Sequence, residues 1–172
     1  LTATLADRWP GATIVGVDDS ADMMAAAGDH GSDRVRFELA DLRSWTPPGP
    51  LDVVVSNATL QWVADHVELL PTFVSWLRPG GVLAFQVPGN FRHPSHQHLA
   101  DLRLSPRWRD QVGEGADRHL SVEDPAGYAE VLAGIGCEVD AWETSYLHLL
   151  RGEDPVLDWV KGTGLRPVLA AL

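Results

Sequence analysis

Three polar residues stand where short apolar runs end: Asp18 after Ala12–Val17, Asp41 after Val35–Ala40, and Asn57 after Leu51–Ser56. In doubly wound sheets, ligands bind outside the carboxyl ends of the strands. A carboxylate at Asp18 can accept both hydroxyls of a ribose. Asp41 can accept from the amino group of an adenine, with the Leu42 N–H beside it, and Met23 can lie on the flat face of the base. Asn57 stands where a sugar, an amino acid or a substrate would reach the central strand. Each has a plainer use: Asp18 or Ser20 as the cap of the next helix, Asp41 as a turn residue, Met23 as core, Asn57 as a strand-end Asx turn. Singly these signals are weak; on three successive strands they point to one nucleoside-binding crevice.

The elements that must position these residues alternate at βα spacing. An amphipathic helix runs to about Trp9 and stops at Pro10-Gly11. Strand 12–18, helix 20–27 and strand 35–39 follow. Gly16 is expected to let another backbone come close. Pro47-Pro48-Gly49-Pro50 breaks the chain before strand 51–57. The pattern predicts a helix over 65–77, ended by Arg78-Pro79-Gly80-Gly81, and then a strand at 82–87. Residues 88–120 are rich in His, Arg and Pro, carry no strand signal, and read as a lid-like insertion above the carboxyl edge of the sheet. A helix near 123–134, a strand from Glu138 to about Leu149 and a helix at 153–161 complete the order. The predicted class is α/β, a doubly wound, mostly parallel sheet with helices on both faces.

The 172 residues are 45% hydrophobic, enough for a core of one domain. A formal charge of −11 argues against a general nucleic-acid binder and against attraction to an anionic membrane. The lone cysteine, Cys137, excludes an internal disulfide framework and fits a reducing, cytoplasmic compartment. No apolar run approaches the length of a membrane span, and no signal peptide is visible. The chain opens inside a helix, without Met, and ends as abruptly, so it reads as an internal piece of a longer protein.

Gly16-Val17-Asp18, Ala40-Asp41-Leu42, Ser56-Asn57-Ala58-Thr59-Leu60-Gln61-Trp62 and Leu77-Arg78-Pro79-Gly80-Gly81, in that order, resemble the class I S-adenosylmethionine-dependent methyltransferases. The resemblance is closer to the branch of that family that methylates trans-aconitate. It extends over Asp7–Pro10, Val87–Phe91, Gly136–Asp140 and, most specifically, Asp158–Pro167. It implies S-adenosylmethionine as cofactor, held by Asp18, Ser20, Met23, Asp41, Leu42, Asn57 and Ala58. It also implies a Gly-rich turn and a first strand ahead of the opening helix, and a last strand, none of which these residues contain. The single methyltransferase domain spanning 1–172 is therefore expected to be incomplete at both ends and inactive by itself.

The implied reaction is methyl transfer to a carboxylate of a small polycarboxylic acid. A carboxylate is ionised at pH 7 and needs no general base, so neither a catalytic triad nor a metal is expected. Five of the thirteen Lys+Arg fall in 92–119, where their two-pronged guanidinium groups suit carboxylates. Gln61, Trp62, His96, Arg118, Tyr146 and Arg166 are the expected substrate contacts, with His148 a further candidate; Trp62 could equally pack beneath the following helix. The His93, His96 and His98 cluster fits no common zinc spacing. The expected assembly is a monomer with no nucleic-acid or membrane partner. Three rivals stand beside this reading. One is a methyltransferase of the same fold with another small acceptor, one a nicotinamide-dependent dehydrogenase, and one an inert or partner-binding piece.

Overall fold

Ile14–Asp18 forms the first strand, β1, and pairs in parallel with β2, Val35–Leu39, in register from Ile14 opposite Val35 to Asp18 opposite Leu39. The computed structural model describes residues 2–112, 122–162 and 164–172. Contacts divide the chain into two units, Leu1–Leu51 and Asp52–Leu172.

In the first unit, helix α1 (Thr2–Arg8) lies against β1 and buries Ala6. Gly16 is needed here, but not for the reason expected. A Cβ at Gly16 would meet the Phe37 ring at 2.8 Å and the Thr2 methyl at 3.1 Å, so the close approach comes from side chains and not from a backbone. Helix α2 (Ala21–Ala27) follows β1 after a two-residue link and packs on both strands. Arg34 ties the sheet to the preceding turn through the carbonyls of Trp9 (3.5 Å) and Ala12 (3.3 Å).

In the second unit, β3 (Leu51–Asn57) pairs with β4 (Leu77–Gln86). Asp52 lies beside Arg78 and Gly81, and the Ala58 N–H donates to the Gln86 carbonyl, so the two strands run the same way. Helix α3 (His66–Ser75) links them. It packs against α6 (Pro125–Gly134) around buried Leu60, Leu70, Phe73, Tyr128 and Leu132. Helices α4 (Pro94–Leu104), α5 (Arg109–Val112), α7 (Pro155–Lys161) and α8 (Arg166–Ala171) complete the unit. Val53, Val55 and Val82 remain exposed on the strands.

The fold is thus α/β with parallel pairing, and several boundaries move. Helix α3 stops at Ser75, and β4 begins at Leu77 and absorbs Arg78-Pro79-Gly80-Gly81. Gly80 takes φ +78, the left-handed bend that only glycine adopts cheaply. A Cβ on Gly81 would lie 3.0 Å from the Asp52 carbonyl, so this glycine admits the neighbouring strand. The strand expected at 138–149 does not form: residues 138–150 carry no ladder and most are exposed. A strand exists only through its partner, and among the described residues none lies beside this stretch. Residues 88–112 hold two helices and no strand, while 113–121 lie outside the described residues. Helix α8 was not legible beforehand, although a proline in its first turn marks its start. Among the described residues no helix is long and apolar enough to cross a membrane.

Candidate functional site

At the carboxyl end of β1 the polar residues serve the turn into α2. Asp18 Oδ1 accepts from the Ser20 N–H at 2.9 Å, and Ser20 Oγ caps α2 by accepting from the Met23 N–H at 3.3 Å. Asp18 Oδ2 has no hydrogen-bond partner among the described residues. Met23 is 56% exposed on the first turn of α2, so it is not core and its thioether can lie against a flat ring.

One strand over, Asp41 is engaged by its neighbour. Its carboxylate accepts from the Arg43 N–H at 2.8 Å, from Arg43 Nε at 3.0 Å, and from Arg43 Nη2. The side-chain and backbone hydrogen bonds from Arg43 hold this carboxyl down at about 2, so it is ionised throughout the physiological range. A ligand amino group reaching Asp41 has to displace or share the Arg43 fork, which is itself exposed. The Leu42 N–H makes no hydrogen bond among the described residues and is available beside it.

The second unit presents Asn57 at the exposed end of β3. Thr59 Oγ1 donates to the Asn57 carbonyl at 3.3 Å, and the Asn57 amide makes no bond among the described residues, so no Asx turn forms. Ala58 is left-handed, with φ +51. Gln61 is not on the surface: it is 4% exposed and its Nε2 donates to the Ala58 carbonyl at 2.7 Å. Trp62, in the same 3-10 turn, is 39% exposed. Beneath this turn lies a pair that sequence reasoning missed. His66 Nε2 and the Tyr128 hydroxyl are 2.7 Å apart, and both residues are buried. Its only signal was a polar residue at the start of an apolar helix.

His96 is half-buried, with its ring edge-on to Phe91 at 5.5 Å and Ser95 Oγ 3.4 Å from Nδ1. Burial, helped by the charge of His93, pushes its pKa below the usual histidine value. His96 Nε2 lies 3.5 Å from where a Cβ on Gly164 would stand, so α4 touches the turn leading into α8. Tyr146 meets His148 edge-on at 6.5 Å, and His148 lies 5.5 Å from Trp159 of α7. Arg118 lies outside the described residues, as does the side chain of Arg166. Among the described residues no group of three His, Cys, Asp or Glu is placed to hold a metal.

The family model for a methyltransferase domain matches residues 1–85, which contain Asp18, Asp41 and Asn57. A Streptomyces avermitilis protein named trans-aconitate 2-methyltransferase is 52% identical over all of this chain, which covers 66% of that protein. A Streptomyces coelicolor protein of the same name is 52% identical, with 58% of it covered. A Mycolicibacterium gilvum protein of that name is 50% identical over all of this chain, with 67% of it covered. The chain belongs to the trans-aconitate 2-methyltransferase family. It spans roughly three fifths to two thirds of the length of these relatives. The likeness covers the whole chain and so extends past residue 85, over α4, α6, α7 and α8.

Proposed function

We propose that this chain supplies the strand-end part of an S-adenosylmethionine-dependent O-methyltransferase that esterifies a carboxylate of a small polycarboxylic acid, trans-aconitate. The observation that carries this reading is the 52% identity to a trans-aconitate 2-methyltransferase over the whole chain and not only its first half. The sheet is proposed to be doubly wound, its first and last strands and the Gly-rich turn lying outside these 172 residues, so that residues 1–172 alone transfer no methyl. Residues 88–120 are the lid-like part of one methyltransferase domain, and the protein acts as a cytoplasmic monomer without nucleic-acid partners.

The open groups of the first unit fit an adenosine. Asp18 Oδ2 accepts the ribose hydroxyls, Met23 lies on the base, and Asp41 and the Leu42 N–H meet its polar edge, with Ser20 fixing the turn. Asn57 and Ala58 are assigned to the cofactor's amino-acid end. When bound, the cofactor supplies an electrophilic methyl group on a sulfonium. The acceptor carboxylate arrives ionised, so no residue has to take a proton. What remains for the protein is alignment and exclusion of water. Trp62, His96 and Tyr146 are assigned to that wall, with Gln61 behind it. Arg118 and Arg166 are assigned to the carboxylates as bidentate partners.

The rival with a specific basis is a nicotinamide-dependent enzyme, because an acid at a strand end holds a ribose in either class. Calorimetric titration with S-adenosylhomocysteine and with NAD separates the two. S-adenosylhomocysteine is expected to bind and NAD not; the reverse would reject the methyltransferase reading.

A further inference from the structure

Ala58 carries the most unusual backbone at the site, and one side chain holds it. Its φ of +51 is a region that a residue with a Cβ enters only at a cost. Both sides of the residue are tied: its N–H donates to the Gln86 carbonyl at 2.9 Å, and its carbonyl accepts from Gln61 Nε2 at 2.7 Å. A carbonyl can only accept, so the amide nitrogen of Gln61 must face it. Gln61 is 4% exposed, and its Oε1 is buried without a partner among the described residues. An orphaned buried acceptor is unfavourable, so an apolar side chain would fill this space better if filling were its only use. The 3-10 turn that presents Gln61 is anchored at both ends: Leu60 is 1% exposed, and the Trp62 and Val63 N–H groups donate back to the Thr59 and Leu60 carbonyls.

We propose that Gln61 is a positioning residue, a latch that keeps Ala58 left-handed and thereby turns the end of β3 so that Asn57 faces the ligand. Only the last clause rests on the preceding reading that the β3 end receives a ligand. The latch itself concerns two residues and one hydrogen bond. It also moves Gln61 from a substrate contact to the support behind one.

The test is a double-mutant cycle of Gln61→Met and Ala58→Gly in the full chain, read by the φ-dependent scalar couplings of residue 58 and by the Asn57 side-chain amide resonances. Gln61→Met is expected to take residue 58 out of the left-handed range and to shift the Asn57 amide. The double variant is expected to return both, because glycine enters that range without a latch. A filler role would leave the couplings unchanged in Gln61→Met, and that result overturns the proposal. If Gln61→Met does not fold, Gln61→Glu replaces it. A buried carboxyl titrates high; protonated it donates to Ala58, ionised it cannot. The couplings of residue 58 in that variant should therefore change between about pH 6 and pH 8.5, and couplings that stay fixed overturn the latch. In a chimera that seats these residues in the Streptomyces avermitilis relative, Gln61→Met should weaken S-adenosylhomocysteine about tenfold and the double variant should recover to within about threefold. A parent chimera that binds nothing would reject the ligand reading, while the couplings still decide the latch.

Discussion

The Tyr128 hydroxyl stands 2.7 Å from His66 Nε2, where α6 crosses the first turn of α3. His66 Nδ1 lies 3.3 Å from the Val63 carbonyl, which can only accept, so Nδ1 carries the proton and Nε2 accepts from the tyrosine. Burial raises the Tyr128 pKa, which keeps the hydroxyl protonated and able to donate. The bond fastens α6 to the element that follows the Asn57–Trp62 turn. Tyr128→Phe keeps the edge contact to Phe85 but leaves a buried nitrogen unpaired. Urea unfolding should show a loss of about 1–3 kcal/mol. The same change made on a His66→Leu background should cost much less; equal losses on both backgrounds would mean that the hydroxyl works elsewhere.

Asp18 has an observed folding use and a proposed binding use, and the two can be separated. Asp18→Asn keeps an oxygen that accepts from the Ser20 N–H, the 2.9 Å bond that starts α2, but removes the charge proposed to meet a ribose. A hydrogen bond to a charged acceptor contributes about 1.5–3 kcal/mol, so S-adenosylhomocysteine should bind at least about tenfold more weakly to the chimera carrying Asp18→Asn, with little change in unfolding midpoint. Calorimetry that finds equal affinity would remove Asp18 from the site.

Asp41 is held down at about 2 by Arg43. A carboxyl depressed in the folded state adds stability above its ordinary pKa near 3.8 and loses that contribution as pH falls toward about 2. The pair is exposed, so its trace is the titration itself more than global stability. Carboxyl carbon shifts should place Asp41 well below the ordinary value near 3.8, and Arg43→Ala should return it to the ordinary range. An Asp41 titrating near 4 with Arg43 intact would contradict the pairing.

His96 should titrate below 6.5, because burial and the charge of His93 both oppose its protonation. The sign follows: the neutral ring is the one that fits against Phe91 and Gly164, so this packing is complete above 6.5 and is weakened as pH falls from there toward the folded value. Ring-proton shifts of His96 measure this directly, and His93→Ala should raise the value. A His96 that titrates at or above 6.5 would show the ring to be solvated.

Much of this was legible because βα punctuation is local. β1, α2, β2 and β3 fall where alternation, Ser20 and the Pro47–Pro50 break put them. The polar strand ends were legible for the same reason, since a residue type and a strand end suffice to nominate Asp18, Asp41 and Asn57. What was not legible depends on partners distant in sequence. The apolar alternation of 138–149 signals a strand, but pairing decides whether one forms, and here none does. Arg43 on Asp41, Gln61 beneath Ala58 and Tyr128 on His66 are individual contacts that no periodicity encodes. Gln61 and Trp62 look alike in the motif, yet the 3-10 turn sends one inward and leaves the other exposed.

The proposed function of these residues is methyl transfer to a polycarboxylate. The most direct measurement follows a labelled methyl group from S-adenosylmethionine in a chimera in which residues 1–172 replace the matching segment of the Streptomyces avermitilis relative, 52% identical to this chain. With trans-aconitate as acceptor, the label should appear in a base-labile methyl ester, and charge-neutral replacement of Arg118 and Arg166 should raise the KM for the acid. A folded chimera that binds S-adenosylhomocysteine yet forms no methyl ester, or that places the label only on a non-carboxylate acceptor, would contradict the account.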